Sequence, residues 1–150
     1  MAAVIVLSKT RSALVAFLTA ANVGCDRIYD EKSAGDKAAP NVSCGAANAV
    51  EDPPGTGNFW VDAVVSVKTP GAVDVGQAES DPKNSSESLC AAVFLALEVD
   101  DLAAQLTDIQ DDFTVMGIAG EKGHHLEQDG DCWVESIAVR LYCCASDFSE

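Results

Sequence analysis

The chain has 150 residues, of which 48% are hydrophobic, and it carries 24 acidic against 9 basic residues for a net charge of −15. This length is enough for one domain with its own core, and the apolar content is too high for a disordered chain. The acidic balance argues against wrapping nucleic acid and against binding anionic membranes, because both need clustered lysine and arginine. We therefore expect a single domain over residues 1–150.

The N-terminal segment predicts a helix that packs on the core. Ser8 can cap a helix over residues 9–21, and Leu14, Phe17 and Leu18 then fall on one apolar stripe. Such a stripe is typical of a helix that packs on a sheet or on other helices.

The same segment has an alternative interpretation. Residues 1–24 could form a signal peptide or a lipoprotein leader that ends before Cys25. The apolar run over residues 13–21 is short, and we expect it not to span a membrane. Asn22 also stands where a lipoprotein leader would carry an aliphatic side chain. A secreted or lipid-anchored protein remains the alternative class.

Two segments alternate with period two and predict the main strands, at residues 58–68 and residues 129–146. The second face of the first strand mixes Trp60 and Val64 with Asp62, as a partly buried interface does. The second face of the other strand is also mixed, so it should be wet or meet a partner. The inward positions that we predict for these strands are Phe59, Val61, Val65, Trp133, Ile137, Val139 and Leu141.

Weaker signals complete the first half of the chain. Residues 27–29 form a candidate short strand, and residues 41–49 alternate weakly. The turn-rich residues 51–57 should join the latter to the next strand as an antiparallel hairpin. Residues 69–85 are rich in Pro, Gly, Asp and Ser and predict a long loop, which in a compact domain usually has a function or orders on a partner.

The second half begins with a helix that Asn84 and Glu87 can cap, with Val93 and Leu97 facing inward. A second helical piece over 99–109, a short strand over 112–118 with Phe113 inward, and a wet loop over 119–131 follow. The predicted order is helix, strand, strand, helix, strand, strand. That order predicts an α+β domain, with a mostly antiparallel sheet of about four strands and helices packed on one face.

The sequence contains few patterns that are typical of a metal site, a phosphate-binding loop or a catalytic site. His124, His125 and three late cysteines invite a metal site, but no CxxC pair occurs and the thiols lie on an extended strand. The glycine-rich residues 117–123 lack the phosphate-loop spacing. No acidic pair is placed across a cleft, and no serine lies in a nucleophile elbow. We predict no catalytic residue, cofactor or metal, and a small enzyme is the third class.

All six cysteines are predicted to be reduced and mostly buried. The chain is large for a disulfide scaffold and has apolar core positions of its own. Cys143 and Cys144 point to opposite faces of a strand, so they could not readily share a partner. Buried free thiols behave as small apolar side chains.

The element order resembles that of the tail-terminator proteins of long-tailed bacteriophages. The likeness rests on residues 40–44 (PNVSC) and 58–67 (NFWVDAVVSV), and on the acidic turn 128–131 (QDGD) before Trp133 and an alternating strand that ends near Tyr142. It covers most of the chain as a pattern. The six cysteines and the loop over 69–85 are not part of that pattern, which leaves neighbouring neck or tail-completion families as alternatives.

The resemblance implies a virion protein that assembles in the host cytoplasm. It would form a homohexameric ring that caps the tail tube, ends tail polymerisation and joins the tail to neck or head-completion proteins. DNA would pass through without sequence-specific binding, because an acidic lumen repels phosphate, and no membrane partner is implied. Free subunits could be monomeric, with loops that order on assembly. The predicted subunit or tail interface comprises Trp60, Asp62, Val64, Gly71, Val73, Asp74 and Val75.

Overall fold

The computed structural model describes residues 2–23, 27–30, 41–70, 82–129 and 132–145. Its helices are α1 (Ala2–Ala21), α2 (Pro82–Leu97) and α3 (Leu102–Ile109). Its strands are β1 (Ile28–Asp30), β2 (Asn41–Glu51), β3 (Phe59–Pro70), β4 (Phe113–Asp129) and β5 (Cys132–Ala145).

The described strands form one sheet in the order β1-β2-β3-β5-β4. Strand β1 runs parallel to β2, and the other pairs are antiparallel. The α+β class and the packing of helices on the sheet agree with the prediction. The predicted count of about four strands is wrong, because β1 adds a fifth strand at the edge, where Ile28 pairs with Val42.

The helices and the inward face of the sheet enclose the core. Helix α1 packs on β2, β3 and β5, whereas α2 packs on β3 and α3 packs on β4. An ion pair of 2.8 Å between Arg11 Nε and Asp30 Oδ1 joins α1 to the edge strand β1. The predicted core residues that the structure buries are Leu14, Phe17, Leu18, Phe59, Val61, Val65, Val93, Leu97, Phe113, Ile137, Val139 and Leu141.

The prediction that Trp133 is a core residue is wrong, because its side chain is 40% exposed. Trp133 shares the face of Ile137 on β5, but it lies near the start of the strand, opposite Thr69 and Gln128. Leu126, nearby on β4, is 56% exposed as well. This end of the sheet is therefore not buried by the helix layer, which period two alone does not reveal.

Strand β4 is much longer than predicted. The predicted strand over 112–118 and the predicted wet loop over 119–131 form a single 17-residue strand, Phe113–Asp129. Glycines and polar side chains predict a loop, but here β5 supplies a pairing edge. The register shifts between Val115 and Gly117, and again between Ala119 and Gly123, so bulges absorb the irregular residues.

Helix α1 begins at Ala2, so Ser8 lies inside the helix and does not cap it. The helix ends at Ala21, and the φ of 56° at the next residue, Asn22, is the left-handed conformation common after a helix C-terminus. By length and composition the segment Ala3–Ala21 could cross a membrane, contrary to the sequence-based expectation, although core helices and signal sequences share this property. In this fold Val6, Thr10 and Leu18 are fully buried, so α1 belongs to the core.

Helices α2 and α3 also begin at other residues than predicted. Helix α2 begins at Pro82, two residues before the predicted cap at Asn84, and proline is well suited to a first helical turn. The second predicted piece, over 99–109, is helical only from Leu102. Asp101 takes the N-cap position of α3, where it accepts a 2.8 Å hydrogen bond from Gln105 Nε2. A carboxylate at this position suits the positive end of the helix dipole.

Three of the described cysteines, Cys44, Cys90 and Cys143, are buried, and Cys144 is partly exposed; none of these four forms a disulfide. Burial raises the pKa of the Cys143 thiol from 9.0 to about 11, despite an opposing contact of 3.9 Å from Thr10 Oγ1 to Cys143 Sγ. The charge of the neighbouring Cys144 is a smaller contribution to the same rise in the pKa of Cys143. Cys143 is therefore a neutral packing group at physiological pH. Cys25 and the side chain of Cys132 lie outside the described residues.

This shift predicts that the folded state loses stability in alkali. Between about pH 9 and about pH 11 the unfolded chain gives up the Cys143 proton and the folded chain keeps it, so unfolding becomes more favourable as pH rises. Between about pH 8 and about pH 10.5, we expect the wild-type protein to lose about 1–2 kcal/mol more folding stability than Cys143→Ala. Urea unfolding at both pH values measures the difference. The control Cys144→Ala should keep most of the wild-type pH dependence, because burial is the larger cause of the shift at Cys143. An equal effect of both substitutions would contradict the assignment.

Candidate assembly interface

The face of the sheet that points away from the helices is the candidate functional surface, and we call it the outer face. Its side chains alternate with the buried ones: Val61, Val65 and Val67 are buried, whereas Trp60 and Val64 are only partly covered. The buried side chains of these strands belong to the core that the described helices share, so the helices lie on the other side of the sheet. Across β3 and β5 it comprises Trp60, Asp62, Val64, Ser66, Lys68, Val134, Ser136, Ala138, Arg140, Tyr142 and Cys144.

One end of the outer face carries an aromatic and cationic cluster. Trp60 lies opposite Tyr142, and their ring centroids are 4.7 Å apart at an interplanar angle of 36°. The guanidinium carbon of Arg140 lies 5.4 Å from the Trp60 ring centroid, within the range of a cation–π contact. Such pairs restrict the side chains before any partner arrives. Trp, Tyr and Arg are also the residues that most often dominate binding energy at interfaces.

Asp62 extends this cluster along the strand. Its carboxylate lies 3.7 Å from Arg140 Nε and accepts a 3.1 Å hydrogen bond from Asn48 Nδ2. The two charged side chains are 45% and 55% exposed, so the ion pair contributes little to stability as it stands. If a partner covered it, the same pair would be desolvated and would contribute to orientation and specificity.

Tyr142 also holds the turn between β2 and β3. Its hydroxyl donates a hydrogen bond to the backbone carbonyl of Asp52. Glu51 supports the same turn, since its Oε2 accepts a 2.8 Å hydrogen bond from the Gly57 amide. The cluster and the hairpin turn are therefore connected, so a partner that contacts one would also meet the other.

Small side chains occupy the centre of the outer face. Across the sheet, Gly45 pairs with Val64, Val64 with Ala138, and Ala138 with Gly123. A Cβ atom at Gly123 would lie 3.7 Å from the Ala138 Cβ, so this row is closely spaced and lacks large side chains. In the next row Ser66 Oγ and Ser136 Oγ are 3.0 Å apart. Gly45 is buried within the chain, but Ala138 and Gly123 are exposed, so a partner could approach the sheet closely at that end of the row.

The structure places only part of the predicted interface. Trp60, Asp62 and Val64 lie together on the outer face. Gly71, Val73, Asp74 and Val75 lie outside the described residues. Arg140 and Tyr142 fall on the mixed face predicted for the strand over residues 129–146, but the period-two pattern does not connect them with Trp60. The cross-strand register, which the sequence does not specify, brings them together.

The histidine and cysteine candidates do not converge. His125 Nε2 lies 2.9 Å from Glu127 Oε1, and both side chains are largely exposed. Cys143 is buried on the opposite face of the sheet. In the parts of the chain that the structure describes, no group of three or more His, Cys, Asp or Glu side chains could hold a metal ion.

Comparison with known proteins shows a likeness of fold. No protein-family model and no curated protein matches the sequence. Among solved structures, the fold is similar to that of a chain from the virion of a native gene transfer agent particle, with a TM-score of 0.57 and 21% sequence identity. The match covers 95% of this chain and 98% of that chain. At this identity the likeness shows a shared fold over nearly the whole length of both chains.

Proposed function

We propose that the protein is a structural component of a phage-like virion, and that it forms a ring at the head-proximal end of the tail tube. The observation that carries the proposal is the fold match to a virion chain, which covers 95% of one chain and 98% of the other. The pattern of elements, which resembles tail terminators, supports the finer assignment to a terminator ring.

The outer face supports subunit contact in such a ring. It combines the Trp60, Tyr142 and Arg140 cluster with the Gly45, Val64, Ala138 and Gly123 row, so it has an anchor group beside a surface free of large side chains. In a ring, each subunit presents one surface to a different surface of its neighbour, and the ring closes when the rotations sum to a full turn. We assign the outer face to one side of this contact.

The charge of the chain supports DNA passage. A net charge of −15 on each subunit becomes a large negative charge when six copies surround an axis. Phosphate is repelled from such a wall, so DNA would slide through without binding. The proposed role needs no catalytic step and no cofactor.

Two alternatives make different predictions. A neighbouring neck or head–tail connector protein would have a related fold, and its position in the particle would distinguish it from a terminator. A secreted or lipid-anchored protein would lose residues 1–24, and with them the buried Val6, Leu14 and Leu18 of α1. Intact mass of the mature protein separates these classes, because a chain that starts at residue 1 or 2 retains the core helix.

The proposal is tested by locating the protein in assembled particles by electron microscopy with a labelled chain. We expect a ring only at the head-proximal end of the tail, with the mass of about six subunits. A chain that lacks residues 71–80, in the predicted loop, should fail to form that ring. A protein absent from virions, or one spread along the whole tube, would falsify the proposal.

A further inference from the structure

A groove lies on the helix layer, on the opposite side of the molecule from the outer face. Its apolar lining comes from the last turns of α1, the end of α2 and α3. Val99 and Ile109 are 37% and 36% exposed, although both are large apolar side chains beside a buried Phe17. The lining residues on which the proposal depends are Phe17, Ala20, Ala21, Ala96, Val99 and Ile109.

Negative charge is concentrated in the segment that supplies part of this groove's lining. Residues 98–112 contain six acidic side chains and no basic one, and all six are exposed. Glu98 precedes the lining residue Val99, and Asp108 precedes Ile109. Helices α1 and α2 both end at the groove, and neither has a basic residue in its last turn. Because the C-terminal end of a helix carries partial negative charge, the helix ends add to the field of the carboxylates.

Helix stability explains only some of these acidic residues. Asp100 and Asp101 precede α3, where negative charge suits the helix dipole. Glu98 and Asp108 lie instead at C-terminal helix ends. Glu98 follows the last residue of α2, and Asp108 lies in the last turn of α3. A carboxylate at a helix C-terminus is unfavourable by about 0.3–1 kcal/mol. Their positions therefore favour a ligand that brings positive charge.

We propose that this groove binds a basic amphipathic segment of another protein, which inserts an apolar side chain between α1 and α3 and places lysine or arginine beside Glu98 and Asp108. A helix laid in an apolar groove is a common mode of peptide recognition. The acidic side chains next to the lining select this occupant, because a basic segment would be attracted to them, whereas a nucleic acid or an acidic segment would be repelled. The inference goes beyond the ring and does not depend on it.

The test uses the purified full chain and a labelled synthetic helical peptide with leucine on one face and lysine on the other. Fluorescence anisotropy should show binding that weakens as salt is raised. Ala20→Leu fills the groove without changing charge, and we expect it to weaken binding roughly tenfold or more. The matched control Ala91→Leu lies at an exposed position on α2 that does not line the groove, and it should bind like wild type. Equal binding by the two variants would overturn the proposal.

A charge test separates the groove from general attraction to an acidic protein. Glu98→Gln with Asp108→Asn should weaken binding and reduce its salt dependence. Asp52→Asn with Glu127→Gln removes the same charge from exposed positions elsewhere and should change neither. Equal effects of the two pairs, or equal binding of a peptide with serine in place of leucine, would overturn the groove assignment. A protein that binds the peptide in this way but is absent from virions would contradict only the proposed ring.

Discussion

Replacing Leu141 by alanine is expected to destabilise the protein by about 2–5 kcal/mol, the usual range for a buried leucine. Leu141 is 1% exposed and lies near the middle of the sheet, opposite Val61 on β3 and Ile118 on β4. Truncation would leave a cavity between the sheet and the helices, which pack on it with little room to collapse. Urea unfolding followed by circular dichroism measures the change.

Leu126 is the matched control for this prediction. It is also a leucine in the same hairpin, on β4 opposite Glu135, but it is 56% exposed. We expect Leu126→Ala to change the free energy of unfolding by less than about 1 kcal/mol. Similar costs for the two substitutions would show that the helix layer covers the far end of the sheet, and the burial described for β5 would then be wrong.

The sequence correctly predicts the helices and strands in which the spacing of apolar residues follows the buried face. Residues 58–68 alternate because β3 has one face on the core and one face away from it, and the Leu14 and Phe17 stripe exists because α1 lies on the sheet. The exposed Trp133 shows that this spacing alone does not determine burial. Its face is that of Ile137, but whether a helix extends over it depends on the placement of distant segments.

Long-range pairing explains the other differences. The segment after Ile118 contains turn-forming and polar residues, and it becomes a strand because β5 offers a complementary edge and bulges absorb the register shifts. The parallel pairing of the short β1 with β2 likewise joins segments that have little strand signal of their own. Local composition cannot specify such pairing, since the stabilising partner lies far away in the sequence.

Only part of the candidate interface could be predicted, because the rest depends on long-range strand pairing. Alternation identified Trp60, Asp62 and Val64 as a mixed face, but the cluster needs Tyr142 opposite Trp60 and Arg140 opposite Asp62. The row of small residues draws Gly45 and Gly123 from two further strands. Each of these residues is unremarkable in sequence, and only the register places them in line.

Replacing Ala138 by arginine is expected to abolish ring formation and leave the fold intact. Ala138 is exposed at the centre of the outer face, between Val64 and Gly123, so a long side chain there points away from the core. Folding stability should change by about 0.5 kcal/mol or less, as for most surface substitutions. In a packed interface the same side chain would both clash and bury an unpaired charge, which costs several kcal/mol. Assembly should weaken about a hundredfold or more.

Charge alone cannot produce this effect, because an added arginine lowers the repulsion between subunits of net charge −15. The control Ala91→Arg makes the same change at an exposed position on α2, away from the sheet, and should assemble as wild type does. Native mass spectrometry in the presence of tail tubes counts the subunits in each case, and thermal unfolding confirms that both variants fold. If Ala138→Arg forms rings as readily as Ala91→Arg, the outer face is not a subunit contact, and the ring would have to close through other surfaces.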